Sequence, residues 1–399
     1  MKRKQSRLWI IIMIVSLNSI GMSVVLPLLP FIVGKYLAPQ HIAAGMGMLM
    51  SVFAASTFFT APVFGALSDK HGRKGILVIS LLGSVIGYIL FGIGGALWVL
   101  FLGRIIDGLT AGNITVLFAY ISDSTEPNDR AKWFSYIGAA MGIGKIGGPA
   151  LGGLLGNISI GLPFFITAGL ILLSMLAIIF LLPESLPLEK RNKHLITGSF
   201  NAFSHFKEIF SIKEVKLMLI TGTLFYAGLG IFQFNFTLFL KDIYKWGPAV
   251  IGSVLTIVGI CEIVSRALLL PWLLRRLKER SIVITGLTML GLGLGLILIS
   301  TYIHSIVIIV FAIILIIFGE GLFEPTYIDK LSQSVGENQQ GKLQGVNQSL
   351  QSANNVLIPL IAAAIYFISA GMLYATASLA IFTAFLMYRR KTSKAPSNQ

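Results

Sequence analysis

Charge is scarce in this chain. Charged residues make up 12% of its 399 positions, and only 16 of them are acidic; a soluble domain carries about twice that share. The single cysteine, Cys261, sits inside an apolar block, which excludes an intrachain disulfide and a cysteine-based metal site. The five histidines are scattered without metal-ligand spacing, and no Gly-x-x-x-x-Gly-Lys-Ser/Thr loop is present, so ATP is not the expected energy source. Neither a cofactor nor a metal is expected. Hydrophobic residues instead make up 55% of the chain, gathered in blocks of roughly twenty, the length a helix needs to cross a bilayer. That pattern excludes a soluble enzyme, a disordered chain and a secreted disulfide scaffold. A polytopic membrane protein embedded in a lipid bilayer is what remains.

The net charge of +15 would suit a nucleic-acid binder, but its distribution argues otherwise. Lys2-Arg3-Lys4, Arg73-Lys74, Arg275-Arg276 and Arg389-Arg390-Lys391 all lie in short segments between apolar blocks. Twelve blocks are expected, at 8–33, 44–67, 75–94, 97–121, 134–156, 162–182, 216–240, 249–273, 281–301, 305–327, 344–366 and 371–388. With both termini placed in the cytoplasm, the outer loops hold only Lys35, Lys241 and Lys245, and Arg104, Lys145 and Arg266 fall inside spans. The other basic residues are all inside, as the positive-inside rule requires without any nucleic-acid partner. The N-terminal apolar run continues past Pro27 without a cleavage signature and reads as the first span, not a signal peptide.

The longest polar stretch divides the chain into an N-terminal six-helix half (1–182), a cytoplasmic linker (183–215) and a C-terminal six-helix half (216–399), with a short amphipathic helix expected around Phe203–Phe210. The halves look related: Gly148-Pro149 followed by Gly152-Gly153 in the fifth span is echoed by Ile358-Pro359 followed by Ala362-Ala363 in the eleventh. Two repeated six-helix halves around a central cavity form a known transporter architecture. The expected fold class is therefore an all-α membrane protein of 12 transmembrane helices.

Three segments carry chemistry. The loop after span two reads Gly65-Ala-Leu-Ser-Asp69-Lys-His-Gly72-Arg73-Lys74, where Gly72 suits a tight turn and Asp69 suits pairing with a nearby Arg at a helix N-terminus. Span four contains Arg104 and Asp107 at i, i+3, on one helix face; such charges in a membrane either fix packing or face a working cavity. Span five carries Gly144, Gly148, Pro149, Gly152 and Gly153, small residues that allow close helix approach with a proline that kinks the helix.

Together these motifs resemble the major facilitator superfamily, and nearly the whole chain shares the likeness. Gly-x-x-x-Asp-x-x-Gly-Arg-Lys resembles that family's signature loop, which implies a gating role for Gly65, Asp69, Gly72 and Arg73. The Arg104 pattern resembles the fourth-span motif of proton-coupled members, making Arg104 a coupling candidate with Asp107 as partner. Gly-x-x-x-Gly-Pro-x-x-Gly-Gly resembles the antiporter motif of its exporters and favours export; Lys145 within it departs from the family pattern. Ser124-Thr125 through Gly138, and Gln340-Gly341-Lys342-Leu343-Gln344-Gly345, are similar to bacterial tetracycline exporters. Those exporters carry an Asp where this chain has Asn18, and an amide releases no proton at physiological pH.

The acids expected within spans are Asp107, Glu262, Glu320 and Glu324, against the bases Arg104, Lys145 and Arg266. Not every carboxylate has its own cation, and a carboxylate left without one in low dielectric holds its proton. Glu262 and Arg266, at i, i+4, are expected to neutralise each other, which leaves Glu320 or Glu324 as the first choice of proton carrier and Glu262 as the second. Substrate-binding candidates are Asn18, Arg104, Gln233, Asn235, Phe236, Arg266 and Glu320, since aromatics with interspersed amides suit a bulky amphipathic ligand. The expectation is a secondary transporter, functional as a monomer in a bacterial cytoplasmic membrane. It would export small amphipathic compounds, tetracycline-like drugs among them, in exchange for protons. The alternative is a dedicated exporter of a cell-made metabolite such as a siderophore, or a facilitator for sugar or amine. Catalytic residues are not expected.

Overall fold

The structure is a computed structural model that describes residues 2–191 and 206–393. Its helices are α1 (Lys2–Val33), α2 (Ile42–His71), α3 (Arg73–Ile93), α4 (Leu97–Leu109), α5 (Asn113–Ser124), α6 (Pro127–Gly156), α7 (Leu162–Leu181), α8 (Phe206–Ser211), α9 (Lys213–Ile243), α10 (Pro248–Val264), α11 (Leu270–Leu274), α12 (Glu279–Ser300), α13 (Ile306–Ser332), α14 (Glu337–Ile368) and α15 (Ala370–Ser393). No strand occurs among the described residues. Of the expected linker, 192–205 lies outside the described residues, and with it the start of the helix expected at Phe203–Phe210; its remainder is α8.

Among the described residues, eleven helical stretches are long and apolar enough to cross a bilayer. The fifth expected span, α6, is thirty residues long, but its glycines and the charges Asp129, Arg130, Lys132 and Lys145 dilute its hydropathy. With α6 the chain has the two six-helix halves of the expected fold.

Two spans are not the continuous helices their composition suggests. The fourth is broken at Thr110–Gly112 into α4 and α5. Here α2 comes so close that a Cβ on Gly108 would lie 3.0 Å from the Phe53 carbonyl, and one on Gly112 would lie 2.5 Å from Cγ of the Phe64 ring. Irregular backbone at membrane depth survives only when its polar groups are met by protein. Thr60 Oγ1 donates to Gly108 O at 2.9 Å, Thr110 Oγ1 donates to Ile106 O at 2.8 Å, and Ser80 Oγ donates to Thr110 O. The eighth span passes from α10 into one π-helical turn, Ser265–Leu269, before α11. Pro271 has no N–H to offer the preceding turn, and the Leu270 amide reaches back to Ser265 O. Such wide turns often mark functional positions in helices.

The chain folds as two compact units, one of Met1–Phe200 with Trp246–Thr256, the other of Asn201–Lys245 with Ile257–Gln399. In the first, α1 lies along α6 and α3 packs on both α7 and α4; in the second, α9 packs on α14 and α12 on both α15 and α13. The same pairing of spans thus occurs twice. The α1–α6 contact is the tighter kind. A Cβ on Gly148 would lie 2.7 Å from Ile20 O, and one on Gly152 would lie 2.7 Å from Val24 O, so the glycine stripe is a backbone-to-backbone seam. Gly153 turns instead to Gly252, whose Cα would lie 2.7 Å from an added Cβ.

Candidate functional site

The second unit gathers three acids on one guanidinium. Arg266 sits in the π turn with Glu262 one helical turn before it, while Glu320 and Glu324 occupy successive turns of α13. Gly321 permits the meeting of the two helices: a Cβ there would lie 2.8 Å from that of Ser265. Arg266 Nη2 stands 3.0 Å from Glu262 Oε1, 3.4 Å from Glu320 Oε1 and 2.6 Å from Glu324 Oε2. Tyr226 of α9 donates its hydroxyl to Glu324 Oε1 at 3.2 Å. The side chains are largely withdrawn from solvent, Glu320 being 10% and Arg266 35% exposed. A cavity of about 500 Å³ opens beside them, lined by Arg266, Glu324, Pro325, Ile328, Asp329 and Gln344, among others.

This differs from the simple pairing of Glu262 with Arg266. The guanidinium is shared among three carboxylates, so Glu320 and Glu324 are not left without a cation. Charge arithmetic within these four side chains is unbalanced all the same: one cation offsets one carboxylate, and two bound protons bring the group to neutrality. Uncompensated charge in low dielectric is costly.

In the first unit, Arg104 and Asp107 form a sealed pair. The guanidinium lies between the rings of Phe53 and Phe91, 5.1 and 4.7 Å from their centroids, and 3.7 Å from Asp107 Oδ2. Ser84 Oγ donates to Asp107 Oδ1 at 2.7 Å. Asn18 is buried and accepts a hydrogen bond from Asn113 Nδ2 at 3.1 Å. Lys145 is exposed on α6.

The loop between α2 and α3 is a network centred on Arg73. Gly72 has φ +100°, a conformation that side-chain-bearing residues rarely adopt. Asp69 Oδ1 is 2.5 Å from Arg73 Nη1, and Asp123 Oδ2 is 2.9 Å from its Nε. Glu184 accepts the backbone N–H groups of Arg73 and Lys74 at 2.8 and 3.1 Å, an anion at a helix N-terminus. Gly65 lies one turn before Asp69, and its carbonyl accepts Ser68 Oγ.

The aromatic stretch of span seven lies mostly in packing. Phe236 is 1% exposed and lies 4.6 Å from Phe232, while Asn235 Nδ2 donates to its own helix at Ile231 O. Gln233 is exposed. The structure therefore brings Arg266, Glu262, Glu320 and Glu324 together, and separately Arg104 with Asp107. It does not bring Asn235 or Phe236 to open space. Sequence reasoning missed Asp123 and Glu184, and took Tyr226 only as one of the span-seven aromatics, not as a partner of Glu324. Asp123 adjoins the Ser124-Thr125 segment already singled out, and Glu184 is the first acid after span six; their spacing from Arg73 carries no periodic signal.

Comparison with known proteins adds the wider frame. A model of the Major Facilitator Superfamily matches residues 11–359. The chain is 33% identical to the class C tetracycline resistance protein of Escherichia coli, across 92% of this chain and 91% of that protein. It is 28% identical to multidrug resistance protein 2 of Bacillus subtilis (strain 168), across 85% and 84%. Its fold is similar to that of the nucleoside transporter NupG, with a TM-score of 0.77 at 16% identity over 97% of this chain and 99% of that one.

Proposed function

The chain belongs to the Major Facilitator Superfamily, and from that premise we propose that it exports small amphipathic drugs, tetracycline-like compounds included, in exchange for protons. The observation that carries the proton coupling is the three-to-one sharing of Arg266. Its resemblance to tetracycline and multidrug resistance proteins supports the substrate class.

In this reading the carboxylates of Glu262, Glu320 and Glu324 exchange protons while the guanidinium redistributes among those that remain ionised. Protonation of Glu324 would release the shortest contact, turn Arg266 toward Glu262 and Glu320, and open the adjoining cavity. A bound drug and a proton then compete for the same carboxylates, which is the minimal requirement for antiport. The basic inner segments support cytoplasmic termini and a bacterial cytoplasmic membrane. Arg73, Asp69 and Gly72 would hold a cytoplasmic gate, and the glycine seam of Gly144, Gly148, Pro149, Gly152 and Gly153 would carry the conformational change.

The test uses purified protein in liposomes with an imposed pH gradient, following internal pH as ethidium, tetracycline and a fluoroquinolone are added in turn. Drug-triggered proton movement that is lost in E320Q or E324Q is the expected result. Silence with every drug, from folded protein, would overturn the reading in favour of a dedicated metabolite exporter.

A further inference from the structure

The first unit holds a polar feature that this proton chemistry does not use. We propose that the break in the fourth span, with Asn18 beside it, is a subsite for an anionic oxygen of the substrate, a carboxylate or an enolate; the inference rests on the exporter reading above.

The break lies near the middle of its span, between the thirteen residues of α4 and the twelve of α5. Its two sides are treated unequally. On the α4 side, carbonyls are met by hydroxyls from Thr60, Ser80 and Thr110. On the α5 side, the N-cap is Gly112, which has no side chain to offer. The cover for the first-turn amides among the described residues is Asn113 itself, whose Oδ1 accepts the Ile114 N–H at 2.7 Å. A helix start of this kind leaves amide hydrogens without an intrahelical acceptor, and the positive end of its dipole favours an anion.

Asn18 supplies the independent observation. Its residue is 5% exposed, and its Oδ1 accepts Asn113 Nδ2, which fixes the amide at the head of α5. That leaves Asn18 Nδ2 as a buried donor with no hydrogen-bond partner among the described residues. Buried donors without acceptors are costly and rare in folded proteins. The missing partner is an acceptor, and the neighbouring helix dipole favours a charged one. Discontinuous membrane helices aim half-helix N-termini at anionic substrate groups in other transporters. The chemistry is also opposite to that of an acid at this position: a carboxylate would attract a cation, whereas the amide presents N–H.

The experiment measures binding of ciprofloxacin and of its carboxyl methyl ester to the full chain in lipid nanodiscs by equilibrium dialysis at constant pH. The two probes differ only at the carboxylate. Wild type is expected to bind the acid about tenfold more tightly than the ester, the worth of one hydrogen bond to a charged group. N18D is expected to reverse that preference, and N18L to erase it; if one variant fails to fold, the other and the wild-type comparison still decide. Equal binding of acid and ester by wild type, or an unchanged preference in N18D, overturns the subsite. If neither probe binds while ethidium still drives proton release, the subsite alone is overturned. Silence with ethidium as well overturns both the subsite and the exporter reading.

Discussion

Arg104 and Arg266 are both guanidinium groups within membrane spans, yet the protein treats them in opposite ways. Arg104 has one acid, Asp107, and is enclosed by two phenyl rings on a regular helix with its side chain 6% exposed. Arg266 has three acids, stands in a π turn, and is 35% exposed beside a cavity. The first arrangement is balanced in charge and filled in space, so a change in protonation has nowhere to be relaxed. The second is unbalanced and has room to rearrange. Placing a charge in a span is therefore not enough to mark it as working; the proposed coupling rests on the ratio of counter-ions and on access to open space.

The sharpest way to break this comparison is to remove each guanidinium in turn. R266Q should lower drug-driven proton release at least about tenfold with little change in the apparent Tm, because its carboxylates can be neutralised by protons. Retention of coupled flux in R266Q would dissolve the distinction. R104M should act on the fold instead, since it leaves Asp107 buried without its cation, at a cost of about 3 kcal/mol. The double change R104M with D107N should recover most of that loss in thermal unfolding measurements. A double variant that unfolds as early as the single one would show that the two residues are not a unit.

The same contrast extends to helix seams, with smaller effects expected. G152A pushes a methyl group to 2.7 Å from Val24 O and should cost about 1–3 kcal/mol through overpacking. A362G, at the echoing position of α14, adds backbone freedom and removes a methyl, and should cost about 1 kcal/mol. Equal losses in thermal unfolding would mean that the seams are equally tight. The smallest effect belongs to E184Q: the amide oxygen still accepts an N–H of α3 but loses its charge at the helix start, costing about 0.5–1 kcal/mol.

Spans were legible from composition, because twenty-residue apolar blocks are properties of the linear chain, and family likeness was legible from the motifs around Asp69, Arg104 and Gly148. The pairing of Asp69 with Arg73 followed from local spacing, as did the shared helix face of Glu320 and Glu324. Glu184 reaching the head of α3 did not, since residues more than a hundred positions apart meet only through packing. Nor did the break at Thr110–Gly112, where local composition allows a continuous helix and it is the close approach of α2, with hydroxyls from Thr60 and Ser80, that accommodates the interruption. The convergence of Glu262, Glu320 and Glu324 on one nitrogen belongs to the same class. Linear order specifies which charges enter the membrane; only tertiary structure decides how many share a counter-ion, because electrostatic energy depends on distance and access to solvent.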